Sequence, residues 1–113
     1  MNFEEVWKDL KAALRDKQHV RTLARGNLNK IVRIGENSIV VQNTNTLAER
    51  EIAKGDFEYA WKVLESKGKL YMTDLAPELH GRKAIVMALL NELSYVSHFT
   101  KPLSLQISGQ EPF

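Results

Sequence analysis

The sequence predicts an α+β fold: an N-terminal helix and a three-stranded antiparallel meander joined to a unit that runs helix, short strand, two helices, β-hairpin. Three observations carry that expectation. Apolar residues recur at helical spacing near the N-terminus and again in 57–64 and 85–93. β-branched residues crowd positions 19–42 between Gly- and Asn-containing breaks. Two short segments near the C-terminal end alternate around Thr100-Lys101-Pro102.

The elements follow in order. Over Asn2–Lys17, residues Phe3, Val6, Trp7, Leu10 and Leu14 share one helical face, with Asn2 as cap and Glu5 three residues on. Strands are expected near 19–24, 29–34 and 38–42, separated by Arg25-Gly26-Asn27 and Gly35-Glu36-Asn37. After the polar turn 43–46, residues 47–54 read either as a short helix opened by Thr46-x-x-Glu49 or as an extra strand through Arg50-Glu51-Ile52. Asp56 is expected to cap a helix carrying Phe57, Ala60, Trp61 and Leu64, which Gly68 ends. Leu70-Tyr71-Met72 is short and extended. Asp74 caps a brief helix with Pro77 in its first turn and His80-Gly81 at its end. A longer helix from Arg82 to Leu93 turns Ile85, Val86, Leu89, Leu90 and Leu93 inward, and the hairpin pairs 95–99 with 103–107. The tail 108–113 is expected to fray. An alternative architecture is one mixed sheet in which the final hairpin joins the N-terminal strands.

With 113 residues, 43% hydrophobic and 27% charged, the chain has the size and composition of one folded domain, not of a disordered segment. The absence of cysteine excludes disulfides and thiolate metal sites. No apolar run approaches the ~20 residues of a membrane span, and the first residues lack a signal-peptide pattern, so a cytoplasmic protein without membrane contact is expected.

Charge is distributed unevenly. Between Lys11 and Gly35 seven basic residues face the single acid Asp16, whereas 36–79 carries eight acids and five bases. A one-sign block is the electrostatic footprint of a phosphate-binding surface. Lys17, Arg21, Arg25, Lys30 and Arg33 are therefore the candidate phosphate contacts. On a regular strand, however, Lys30 and Arg33 point to opposite faces, and only a bulge would bring them together.

Catalytic constellations are not found. Glu65-Ser66-Lys67 matches a bare E-x-K of metal-dependent nucleases, but it falls on a helix, where Glu65 and Lys67 point apart. No phosphate-binding glycine loop and no nucleophile elbow occurs. His19, His80 and His98 lie on separate elements without metal-ligand spacing. No catalytic residue, metal or cofactor is expected, and Trp7 and Trp61 read as core.

From Asp56 to Ile107 the element order resembles the winged helix-turn-helix fold, by order alone. The resemblance implies a core of Phe57, Trp61, Leu64, Leu75, Ile85, Leu89 and Leu105. It makes Arg82–Leu93 the reading helix, presenting Arg82, Lys83, Met87 and Asn91 with Ala84 and Ala88 beside them, and puts Lys101 at the wing tip. Residues 22–34 also resemble small β-modules appended to bacterial restriction-type and regulatory proteins, from which no residue role transfers. Two functions follow as expectations. One is a non-enzymatic DNA-binding or regulatory module. The other is a protein-interaction or oligomerisation domain, part of a larger restriction-type or regulatory protein, that offers the Ala84/Met87/Ala88 face to a protein partner or a second copy as a homodimer.

Overall fold

A computed structural model describes residues 2–75, 77–79 and 81–107. The expected tail 108–113 and the helix-ending His80 lie outside these described residues.

Asn2 has extended backbone, and its Oδ1 accepts the Glu5 N–H at 3.0 Å, so α1 begins at Phe3 and runs to Arg15. Its apolar stripe, Phe3, Val6, Trp7, Leu10 and Leu14, is buried as the spacing requires. The chain then folds into β1 (His19–Arg21), β2 (Leu28–Ile34), β3 (Ser38–Asn43) and β4 (Glu49–Ala53). These pair antiparallel in sequence order, one strand more than the expected meander. The segment left open between helix and strand is thus β4, because Ile52 opposite Ile39 completes the buried face of the sheet.

β4 passes directly into α2 (Lys54–Lys67). Asp56 is therefore not its cap but a first-turn residue. Ala53 precedes the helix without a side-chain bond, and the Lys54 N–H instead donates to the Asn37 carbonyl at 2.8 Å. Gly68, at φ 79, ends α2 in the left-handed region that favours glycine. β5 (Lys69–Tyr71) follows, then 3₁₀ turns at Met72–Asp74 and Pro77–Leu79, α3 (Lys83–Leu90), β6 (Val96–Phe99) and β7 (Ser104–Ile107). The Asp74 carboxylate accepts the Tyr71 N–H at 2.9 Å and the Lys67 ammonium at 3.0 Å, which together hold its pKa below the ordinary 3.8.

β5, β7 and β6 form a second antiparallel sheet in that order. The hairpin thus pairs with β5 and not with the N-terminal strands, so the mixed-sheet alternative does not form. The inner face of the first sheet packs against α1, α2 and α3, and α2 also contacts β5 and β7 of the second sheet. One hydrophobic cluster runs through all these elements. It contains every apolar residue expected in the C-terminal core, including Phe57, Trp61 and Leu105. Trp7 stacks 5.6 Å from Phe57 and donates its indole N–H to the Glu36 carbonyl, tying α1 to the β2–β3 turn.

α3 departs most from expectation. It is shorter than Arg82–Leu93, and Met87 and Ala88, expected to face outward, are 0% and 1% exposed. The physical reason is its neighbours: α1, α2 and β1 all pack on it. A helix apolar on nearly every side is one that gets covered on nearly every side. Among the described residues no helix is long and apolar enough to cross a membrane.

Candidate nucleic-acid interface

Strand parity and register sort the sheet residues. The inner rows are Val20–Asn29–Asn43, Ile31–Val41–Arg50 and Ile34–Ile39–Ile52. The outer rows are Arg21–Leu28, His19–Lys30–Gln42–Glu49 and Arg33–Val40–Glu51. Arg33 stands in an outer row because the register slips between Ile31 and Arg33, so one extra residue, Val32, is accommodated without a partner. Without that bulge Arg33 would point at the core.

Among the described residues no helix covers the outer face: His19, Arg21, Lys30, Arg33, Glu49 and Glu51 are all exposed. Charge is segregated across it, with the cations on β1–β2 and the carboxylates on the edge strand β4. Arg33 and Glu51 meet at 3.4 Å across Val40, which is buried beneath them. Exposed on both sides, that pair is worth about 0–1 kcal/mol. Arg21 donates to the Gly26 carbonyl at 2.9 Å. Among the described residues no carboxylate pairs with Arg21, Arg25 or Lys30. Arg25 lies in the β1–β2 turn, beside Gly26 at φ 68.

The basic block therefore divides. Arg21, Lys30 and Arg33 share one face, with Arg25 on the adjoining turn. Lys11 lies over the Trp7 ring at 5.8 Å, and Arg15 is in the last turn of α1. Lys17 pairs with Glu92 at 2.9 Å.

The remaining expected contacts are elsewhere. Arg82 is half-buried and donates to the carbonyls of Glu78 and Glu51, holding the start of α3 against β4. Lys83 opens α3 and Asn91 closes it, both half-buried. With Met87 and Ala88 inside, α3 has no free face to seat in a groove. The Ala84/Met87/Ala88 docking face fails for the same reason. Lys101 sits at the hairpin tip at φ 65, beside an open concavity lined by Lys69, Tyr71, Phe99 and Gln106.

No protein-family model, curated protein or solved structure matches the chain. What it binds has to be read from its own surfaces.

Among the described residues no group of three His, Asp or Glu side chains converges as a metal site would require. Glu65-Ser66-Lys67 is helical, at the end of α2, and Lys67 turns to Asp74. Tyr95 has its pKa pushed up by burial and by donating its hydroxyl to Asp9 at 2.9 Å, a bridge from α1 to the start of β6. Sequence reasoning missed one feature. A polar cleft opens where the inner sheet face meets the start of α3, lined by Thr22, Asn29, Asn43 and Arg50 among others. Its signal was present: Asn29 and Asn43 occupy the parity that elsewhere on β2 and β3 is Ile or Val.

Proposed function

We propose that the chain is a non-enzymatic, cytoplasmic DNA-binding module that holds the phosphate backbone on the basic half of its open sheet face. Arg21, Lys30 and Arg33 supply the face and Arg25 its adjoining turn. The observation that carries this reading is the bulge at Val32, which turns Arg33 onto the side already bearing Arg21 and Lys30. Contacts of this kind position a duplex without reading its bases. In a winged helix-turn-helix reading of 56–107, β5 paired to the hairpin would anchor the wing on the helical unit. The burial of α3 favours attachment through the sheet over groove reading by that helix.

The test is a salt titration of duplex binding by fluorescence anisotropy. Four phosphate contacts give a log–log slope of about −3.6, so affinity falls about 150-fold between 50 and 200 mM salt. Arg21→Glu with Arg25→Glu is expected to reduce the slope to about −1.8. Both side chains are exposed, so the thermal midpoint should barely move. Binding that ignores salt, or a double variant with the native slope, refutes the proposal.

A further inference from the structure

The inner face of the first sheet changes chemistry along its length. Towards the β2–β3 turn it is Ile34, Ile39 and Ile52, of which Ile39 and Ile52 are fully buried and Ile34 packs partly buried against the core. Towards the β1–β2 and β3–β4 turns the same parity carries Thr22, Asn29 and Asn43, with Arg50 beside Val41. Thr22 and Asn29 are 8% and 6% exposed. Burying an amide or hydroxyl with hydrogen-bonding capacity unused costs about 1–3 kcal/mol. Thr22, Asn29 and Asn43 each bond a neighbouring turn, and the capacity left over faces a cleft of about 230 Å³, closed on one side by Ala84 and Ile85 of the first turn of α3.

The unused capacity of the cleft is mostly of one kind. The Thr22 hydroxyl oxygen already accepts the Asn27 N–H at 2.9 Å, which leaves its O–H to donate. Asn43 Oδ1 accepts the N–H groups of Asn45 and Thr46, at 2.8 and 3.0 Å, so only its Nδ2 donors remain. Asn29 spends one Nδ2 hydrogen on the Asn27 carbonyl. That leaves a second hydrogen and an Oδ1 that accepts nothing from another described residue. The Arg50 guanidinium makes no ion pair or hydrogen bond with another described residue, and it lies 4.0 Å from where a Cβ on Gly81 would stand, at the mouth of the cleft. Among the described residues no side chain caps α3, whose first-turn N–H groups carry the positive end of the helix dipole. Among the described residues no carboxylate lines the space.

Donors from Thr22, Asn29, Asn43 and Arg50, one full positive charge and a helix start without a side-chain cap, with Asn29 Oδ1 as an acceptor beside them, match one ligand chemistry. We infer that this cleft binds a phosphate group that retains a hydroxyl. Arg50, Asn43, Thr22 and the α3 backbone hold the oxyanion, and Asn29 Oδ1 accepts the hydroxyl. Inorganic phosphate, a small phosphate ester and the terminal phosphate of a nucleic-acid strand share that chemistry. The inference is independent of the outer-face proposal, because the two surfaces lie on opposite sides of the sheet.

The test titrates the ¹⁵N-labelled full chain with inorganic phosphate at constant ionic strength. Saturable shifts are expected at the Ala84 and Ile85 amides and at the side-chain amides of Asn29 and Asn43. Arg50→Gln, at an exposed position, should weaken binding about tenfold or more, since it removes a charge-assisted hydrogen bond. Asn43→Asp keeps the oxygen that accepts from Asn45 and Thr46 but exchanges the donors for negative charge, and should abolish binding. Arg21→Glu with Arg25→Glu should leave it unchanged. A second arm compares 5′-phosphorylated with 5′-hydroxyl duplex. Tighter binding of the phosphorylated than of the hydroxyl duplex, with shifts at the Ala84 and Ile85 amides, assigns the nucleic-acid source, and equal binding of the two duplexes assigns the small molecule. No saturation at millimolar phosphate overturns the inference, as does native affinity in Arg50→Gln or in Asn43→Asp.

Discussion

Trp7 and Trp61 provide a controlled comparison within one core. Each is 3% exposed and each lies on a helix, yet their indole N–H groups differ. Trp7 donates to the Glu36 carbonyl at 2.9 Å, while Trp61 Nε1 is buried without a partner among the described residues. Replacing either by Phe deletes the same atoms and leaves a void costing on the order of 1 kcal/mol. At Trp7 the lost hydrogen bond adds about 1 kcal/mol, for a total near 2 kcal/mol. At Trp61 the change removes a buried donor whose missing partner costs about 1–3 kcal/mol, so the void is offset and the net effect runs from neutral to about 2 kcal/mol stabilising. The expected gap between the two variants is therefore about 2–4 kcal/mol. Urea unfolding followed by far-ultraviolet circular dichroism reads it directly, with unchanged m-values showing that both variants lose the same fold. Equal costs at the two positions, or a larger cost at Trp61, would refute the reasoning. Trp61→Ala removes the packing as well and should cost about 3–5 kcal/mol.

Other expectations follow from the same contacts. Asp74→Asn keeps an acceptor for the Tyr71 N–H but removes the charge facing Lys67, and should cost roughly 0.5–1 kcal/mol at neutral pH. Because the folded carboxyl titrates below its ordinary 3.8, the native advantage is complete above that pH and drains away in acid. Denaturant midpoints of the two proteins should therefore converge as pH falls. Tyr95 behaves oppositely: its raised pKa leaves native stability intact below pH 10.0 and erodes it above, where the unfolded chain ionises first. Tyr95→Phe should abolish that alkaline loss in thermal midpoints taken on either side of pH 10.0. Leu47 is 66% exposed and held at φ 62, a conformation costing a side chain such as leucine about 1 kcal/mol. Leu47→Asn should raise stability by about 0.5 kcal/mol in the same unfolding assay.

Local signals carried much of the fold. The Asn2 cap and the stripe from Phe3 to Leu14 specify α1 within one segment, and the same holds for Phe57 to Gly68 in α2. The α+β class and the C-terminal core followed from such patterns. What failed depended on partners distant in sequence. β4 is a strand because Ile52 meets Ile39, and no property of 47–54 alone decides it. Asp56 lost its capping place to a hydrogen bond from Lys54 to Asn37. For α3 the signal was legible but misread. Ala84-Ile85-Val86-Met87-Ala88-Leu89-Leu90 is apolar all round, the pattern of a helix buried on every side.

The candidate surface divides in the same way. The excess of cations in 11–35 is plain in the sequence, but their convergence is not. Parity alone separates Lys30 from Arg33, and the bulge that unites them exists only against β3. The polar cleft is assembled from two hairpin turns and a helix start more than thirty residues further on, so only the misplaced asparagines of β2 and β3 announced it.

Duplex affinity at one fixed salt concentration, measured for two charge-reversal pairs, addresses the phosphate-binding face most directly. Arg21→Glu with Lys30→Glu alters the open sheet, and Lys83→Glu with Lys101→Glu alters the helix start and the hairpin tip. The sheet pair is expected to lose affinity on the order of tenfold or more, and the other pair to stay within about twofold of native. Native affinity in the sheet pair, or an equal loss in both, would contradict it.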